Sequence, residues 1–332
     1  MIPLDPLRPP HPTDPAAAAY KEWLHLNVFD HAAGAVGLVN VSLHGPPRDP
    51  RSRVAAAGLV HLPGAGWAGG VIVREAAAAT LGTASIALED AALGVDHATG
   101  RVHAALRLRD DAVDVRVTGV AVGPAHVADA PMPLGPGWVA WYAVPRLAVS
   151  GTVRVGDRTL ALEAASGYHD HNWGRWHWGE DLGWDWGSFL APEGPAIVLA
   201  RTTDRARRRP GRPLLLVRAP GIRRTFVGSS VTVRRHGRWT APLRRLPGAM
   251  AALHQDRAAP DLPASVRIEA REGGDDVAVD FRVDGAGQII AADPVRRGYG
   301  FIHELPGTFR CRGRVGGTEL SAEGLGVFEH VD

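Results

Sequence analysis

The chain has 332 residues, 45% of them hydrophobic and 22% charged, a globular composition with room for two domains. The net charge is only +2, the one cysteine, Cys311, excludes an internal disulfide framework and paired-cysteine zinc sites, and no run of about 18 apolar residues provides a membrane span. With 40 glycines and 26 prolines and no long helical period, the expected fold is all-β, built of short antiparallel strands joined by turns.

Residues 1–19 open with six prolines in the first 15 positions and lack the apolar core of a secretory signal. They are predicted as an extended or disordered arm, with a cytoplasmic location. Strand patterns follow at 20–28, 36–43, 54–62, 70–73, 84–88, 93–97, 101–108 and 113–122. The short connections Ala98-Thr99-Gly100 and Asp110-Asp111 give them the spacing of a meander. Gly64-Ala65-Gly66-Trp67-Ala68-Gly69 matches the glycine spacing of a dinucleotide loop. However, Val71-Ile72-Val73 stands where a helix should begin and no βαβ alternation follows, so a plain glycine-rich loop is expected. A turn at 131–137 leads to Trp138 and Trp141-Tyr142, and residues 20–185 are expected to form an N-terminal β domain.

That domain ends in the densest aromatic and histidine stretch of the chain, Gly167-Tyr168-His169-Asp170-His171-Asn172-Trp173-Gly174, continuing through Trp176-His177-Trp178 to Trp184-Asp185-Trp186. Five of the ten tryptophans and three of the fifteen histidines lie here. If the stretch is extended, Tyr168, Asp170 and Asn172 share one face and His169, His171 and Trp173 the other. A carboxyl walled by indoles has its charged form disfavoured, which suits a general acid near neutral pH. The same residues could equally be a buried polar network that holds a strand end. His169 and His171 also have a metal-ligand spacing, but no third ligand is identifiable, so no metal is expected.

Strand patterns resume at 196–203, 214–218, 225–234, 266–269, 277–283, 288–291, 300–304, 309–314 and 325–331, making 186–332 a second antiparallel barrel that leaves no long free edge. Cys311 reads as a half-buried strand position rather than a nucleophile. From Arg201 to Arg245 there are fourteen arginines and one acidic residue, Asp204, a local charge of +13. Solvated loops or an anionic membrane surface could account for it, whereas nucleic acid is not expected because only Trp239 could stack on a base. Lys21 is the only lysine in the chain.

At Gly167 to Gly174 the chain resembles the hydroxyneurosporene synthase family, also called carotenoid 1,2-hydratases, with their AttH-like and fungal pericyclase relatives. Glu22-Trp23 is similar to the family's opening Glu-Trp-Trp pattern, from which Leu24 departs. The resemblance implies two tandem lipocalin-like, calycin-type β domains with a site near their junction. It also implies catalytic roles for the aspartate and tyrosine of the motif, Asp170 and Tyr168.

Hydrating the terminal double bond of an acyclic carotenoid or related isoprenoid needs a proton donor, a stabilised tertiary cation and a placed water. Asp170 is the candidate donor, with His169 or His171 to replenish its proton if one turns inward. Ring faces of Trp173, Trp176, Trp178, Trp184 and Trp186 would favour a cation-like transition state, Trp141 would line the same cavity, and Tyr168 and Asn172 would orient the water. No cofactor is required. Two other functions stay open: a cofactor-free cyclase, of terpene or Diels–Alder type, acting on a hydrophobic polyene, and a lipid-binding protein without catalysis.

Overall fold

The structure is a computed structural model that describes residues 4–11, 13–109, 112–246, 261–293, 295–296 and 298–332. Strands such as Arg101–Leu108 and Val113–Ala121 alternate between buried and more exposed positions, as two-faced antiparallel strands do, whereas Tyr20–Asp30, Gly183–Leu190 and Ala196–Thr203 are buried on both faces. The only helical elements among the described residues are three single 3-10 turns, at Ala17–Ala19, Ala76–Ala78 and Gly228–Ser230. Among the described residues no helix is long and apolar enough to cross a membrane. The expected Asp110-Asp111 connection lies outside the described residues.

The chain divides into two compact units, Met1–Glu180 with Ala291–Gly300, and Asp181–Ile290 with Phe301–Asp332. The first unit therefore takes back a short segment from late in the chain. That return is invisible to a reading that cuts the sequence once, at 185.

The first unit is a curled antiparallel sheet. Gly66–Glu75, Arg53–Leu62, Ala35–His44 and Tyr20–Asp30 follow one another in space, then Arg158–Arg175, Gly137–Val155, Val113–Ala121 and Arg101–Leu108, ending in shorter strands. Arg158–Arg175 is thus an inner strand, paired on one side with Tyr20–Asp30 and on the other with Gly137–Val155. Leu24, Leu26, Val28, Val39, Val41, Leu43, Tyr142 and Val144 turn one face of these strands into the apolar core, where burying a large aliphatic side chain contributes about 1.5–3 kcal/mol. The loop expected over Gly64–Gly69 is only a tight turn at 63–65 between Arg53–Leu62 and Gly66–Glu75, with Gly64 and Gly66 both at φ +77°, and Gly66–Gly69 are strand residues paired with Leu59–Leu62. In the Gly137–Val155 strand the register slips between Val144 and Leu147, at Pro145, which has no N–H to give to the ladder.

The second unit is another curled sheet, antiparallel except where Arg244–Leu246 runs parallel to Gly287–Ala292. Its spine is Ala196–Thr203, Gly183–Leu190, Thr318–Val331, Tyr299–Val315 and Asp275–Val283. Phe189, Phe281, Phe309 and Phe328 fill its core beside Cys311, whose thiol is pushed up to about 12 by burial and is inert as a nucleophile.

Candidate active site

Both glycines that bracket the central motif are demanded by close packing. A Cβ at Gly174 would collide with the carbonyl oxygen of Trp138 and stand 2.9 Å from the Trp176 ring, and one at Gly167 would stand 3.0 Å from the carbonyl oxygen of Asn27. The motif between them is regular strand, so side chains alternate without exception.

Tyr168, Asp170 and Asn172 lie on the face turned away from the apolar core, and each oxygen of the Asp170 carboxyl accepts a hydrogen bond. The Tyr168 hydroxyl donates to Oδ2 at 2.7 Å and the Asn172 amide to Oδ1 at 2.6 Å. Trp141 Nε1 in turn donates to the Tyr168 oxygen at 3.1 Å, which directs the phenolic proton towards the carboxyl. Asp170 is only 4% exposed and Tyr168 fully buried. Such donors hold the carboxyl in one orientation and stabilise the carboxylate left behind when a proton is delivered.

The neighbouring strand adds residues that sequence reasoning missed. In the register of Tyr20–Asp30 with the motif strand, Trp23 stands opposite Asn172, His25 opposite Asp170 and Asn27 opposite Tyr168. His25 Nδ1 accepts from the Asn40 amide at 3.4 Å, and its Nε2–H donates to Asn27 Oδ1 at 3.0 Å. Burial holds this imidazole down to about 4, so it is neutral at physiological pH. The period-two polar row Lys21, Trp23, His25, Asn27 was visible in the sequence. Its position against the motif depended on strand order, which was not.

His169 and His171 face the opposite way and do not reach the Asp170 carboxyl, so neither can replenish its proton directly. His169 Nδ1 is bonded to the His25 carbonyl at 2.8 Å, and burial lowers its imidazole to about 3. His171 is held between two carboxylates, with Asp5 Oδ2 2.6 Å from Nδ1 and Glu22 Oε1 2.9 Å from Nε2. Burial opposes its charge, but those two partners more than offset it and the imidazole is raised. Arg8 completes the cluster, bonded to Asp5 at 2.8 Å and lying 3.7 Å over the Trp173 ring. The proline-rich arm, expected to be disordered, is instead tied down here, because its Asp5 and Arg8 answer charges that the core face would otherwise bury unpaired.

Asp5→Asn is expected to destabilise the protein by about 1–3 kcal/mol at neutral pH and to free the amides of residues 4–11 to hydrogen exchange. The sign of the pH dependence follows from His171. Its folded value is raised, so its contribution is complete below the unfolded value of about 6.5 and is lost as pH rises through the folded one. The gap between wild type and variant in urea denaturation should therefore narrow on the alkaline side.

The proposed aromatic walls separate into four groups. Trp141 belongs to the Asp170 network, whereas Trp173 stacks under Arg8 on the core face. Trp176 packs edge-on against Trp23 at 5.5 Å and Trp178 at 6.0 Å. Beside them Lys21 Nζ donates to the Trp176 carbonyl at 2.5 Å and lies 3.5 Å from Asp293 Oδ2, a carboxylate also bonded to His177 Nδ1 at 3.1 Å. Burial lowers Lys21 to about 8 against the pull of Asp293. Trp184 and Trp186 belong to the second unit.

The arginine-rich segment looks different once folded. Arg201 and Arg207 turn inward onto Asp185, and the buried Arg218 bonds backbone carbonyls. Arg209 pairs with Asp181 and Asp204, Arg224 with Glu272 and Asp275, and Arg234 with Glu269. Most of these acids come from other strands, so the sequence-local charge overstates the surface charge. Among the described residues, the group close enough to share a cation is not His169 and His171 but His303, His330 and Asp332. Burial depresses both of its imidazoles, and Arg207 and Arg235 add to that lowering with a field that opposes a dication.

No family model and no curated protein matches the sequence. Among solved structures the chain is similar to the AttH candidate of Nitrosomonas europaea, at 16% identity and TM-score 0.69 over 98% of both chains. It is similar also to kievitone hydratase from Nectria haematococca, at 14% identity and TM-score 0.60 over 99% of this chain and 94% of that one. CghA, solved with Sch210972, matches at 14% identity and TM-score 0.62 over 95% of this chain and 89% of that one. The chain shares the fold of these proteins, a pair of almost entirely antiparallel, lipocalin-like β units.

Proposed function

We propose that the protein is an enzyme that protonates an alkene of a hydrophobic small molecule, and that it is a hydratase of the terminal double bond of an acyclic carotenoid or related isoprenoid. The observation that carries this reading is the Asp170 carboxyl, buried, oriented through both oxygens and set beside Trp141 and Tyr168. Asp170 gives its proton to the less substituted alkene carbon, whose π electrons form the new C–H bond. The tertiary cation then takes the oxygen of a water, and that water returns a proton to Asp170, so the net change is addition of H2O. His25, Asn27 and Asn172 supply polar groups on the same face to place the water. The sharing of this fold by kievitone hydratase supports a hydratase, and no redox or organic cofactor is needed for the steps above.

The test is mass spectrometry of extracts from cells that make an acyclic carotenoid together with this protein. A product heavier by one water, about 18 Da, is expected, since the acid route adds one water without other change. A product of unchanged mass but altered retention would replace hydration by cyclisation of the polyene. Unaltered substrate recovered with the protein would leave lipid binding. Arg208, Arg212 and Arg223 are exposed and are the residues of the arginine-rich segment through which an anionic membrane surface would be contacted.

A further inference from the structure

The second unit holds an acid pair of its own. Glu329 on the Thr318–Val331 strand stands directly opposite Glu304 on Tyr299–Val315 and Trp186 on Gly183–Leu190. Direct cross-strand pairing makes the two side chains immediate neighbours on one face, and Trp184 Nε1 donates to Glu329 Oε1. Two largely buried carboxyls held this close do not both ionise, so one of them keeps a proton. Glu304 is 1% exposed, and Glu329 is half-buried and so reachable. In register, the neighbours on this face are Trp184, Trp186, Val327, Val331, Ile302 and Pro306, none of them charged. Asp185, His303 and His330 alternate to the opposite face.

A pair of acids is not by itself a site, but Ser188 adds an independent sign. It lies on the same strand face as Trp184 and Trp186, is fully buried, and its hydroxyl has no hydrogen-bond partner among the described residues. A buried hydroxyl left unsatisfied on the strand face that also carries the acid pair is a group waiting for a ligand atom.

We propose that Glu304 and Glu329 form a proton-sharing dyad that, with Trp184, Trp186 and Ser188, makes a second acid–base site for an apolar alkene whose reaction passes through a carbocation. The shared proton moves to an sp2 carbon as a C–H bond forms and an O–H bond breaks. The dyad then carries two negative charges, stabilised by the Trp184 N–H, and faces the new cation beside two indoles. It recovers a proton either from the carbon next to the cation, giving an isomerised or cyclised alkene, or from a water that has added. Burial of Glu329 raises its carboxyl, which keeps the proton in place near neutral pH.

This proposal does not depend on Asp170, and its test separates the two. A carbocation is mimicked by dodecyldimethylamine, cationic at neutral pH, with dodecanol as the uncharged control. The wild type is expected to bind the amine at least about tenfold more tightly than the alcohol, with release of about one proton seen by calorimetry in buffers of different ionisation heat. Glu329→Gln and Glu304→Gln should lose both the preference and the proton release, while Asp170→Asn keeps them. Infrared titration of the uncomplexed protein should show a protonated carboxyl band persisting above about pH 7, removed by either glutamine variant. A preference that survives in both glutamine variants, or that only Asp170→Asn abolishes, overturns the dyad. So does the absence of that band in the wild type.

Discussion

Asp170→Asn is expected to reduce formation of the hydrated product by at least about a hundredfold, the lower end for loss of a general acid, with little change in the denaturation midpoint. Asparagine keeps the size of the side chain and one carbonyl oxygen for the Tyr168 hydroxyl, but it carries no proton that can be transferred. The Asn172 amide, 2.6 Å from Oδ1 in the wild type, can meet a rotated asparagine oxygen only at the expense of the Tyr168 bond, so one hydrogen bond of the pair weakens. Tyr168→Phe should cost less in turnover, because it removes a donor that stabilises the conjugate base without removing the acid itself. Product mass spectrometry on matched expression levels is the measurement. If Asp170→Asn turns over like wild type, the proton comes from elsewhere and the mechanism fails.

The parts of this arrangement that could be read from the sequence are those set by local alternation. Tyr168, Asp170 and Asn172 sharing a face required only that residues 168–173 be extended, and the period-two rule then fixed the opposite face for His169, His171 and Trp173. What could not be read was set by pairing across the sheet. His25 faces Asp170 because Tyr20–Asp30 lies beside a strand that begins more than a hundred residues later. Glu22 and Asp5 neutralise His171 by the same long-range adjacency. The five tryptophans of the central stretch appeared as one aromatic wall, yet Trp173 alternates onto the core face and Trp184 and Trp186 enter a different unit. Composition concentrates such residues without telling which strand partners will separate them.

The charge of the arginine-rich segment shows the same limit and leads to the largest expected change in stability. Asp185 is completely buried and receives Arg201 from the adjacent strand, Arg207 at 3.4 Å and the His330 ring at 3.6 Å. Burial opposes its charge, but His330, Arg207 and Arg201 more than offset it and hold the carboxyl below the usual carboxylate range. His330 itself is lowered to about 3 by burial and is neutral, so the guanidiniums carry the compensation. Asp185→Asn keeps the shape and leaves two largely buried guanidiniums without their countercharge, a change that costs about 3–5 kcal/mol when one partner of a buried pair is removed. The pH dependence has a definite sign. A carboxyl depressed in the folded state contributes fully above its unfolded value of about 3.9, and that contribution is lost as pH falls through the folded value. Urea denaturation should therefore show wild type far more stable than the variant at neutral pH, with the two curves converging as the solution is acidified below about pH 4. A neutral-pH difference under about 1 kcal/mol, the scale of an exposed ion pair, would mean that the inward-facing arginines are solvated and that Asp185 does not hold the second unit together.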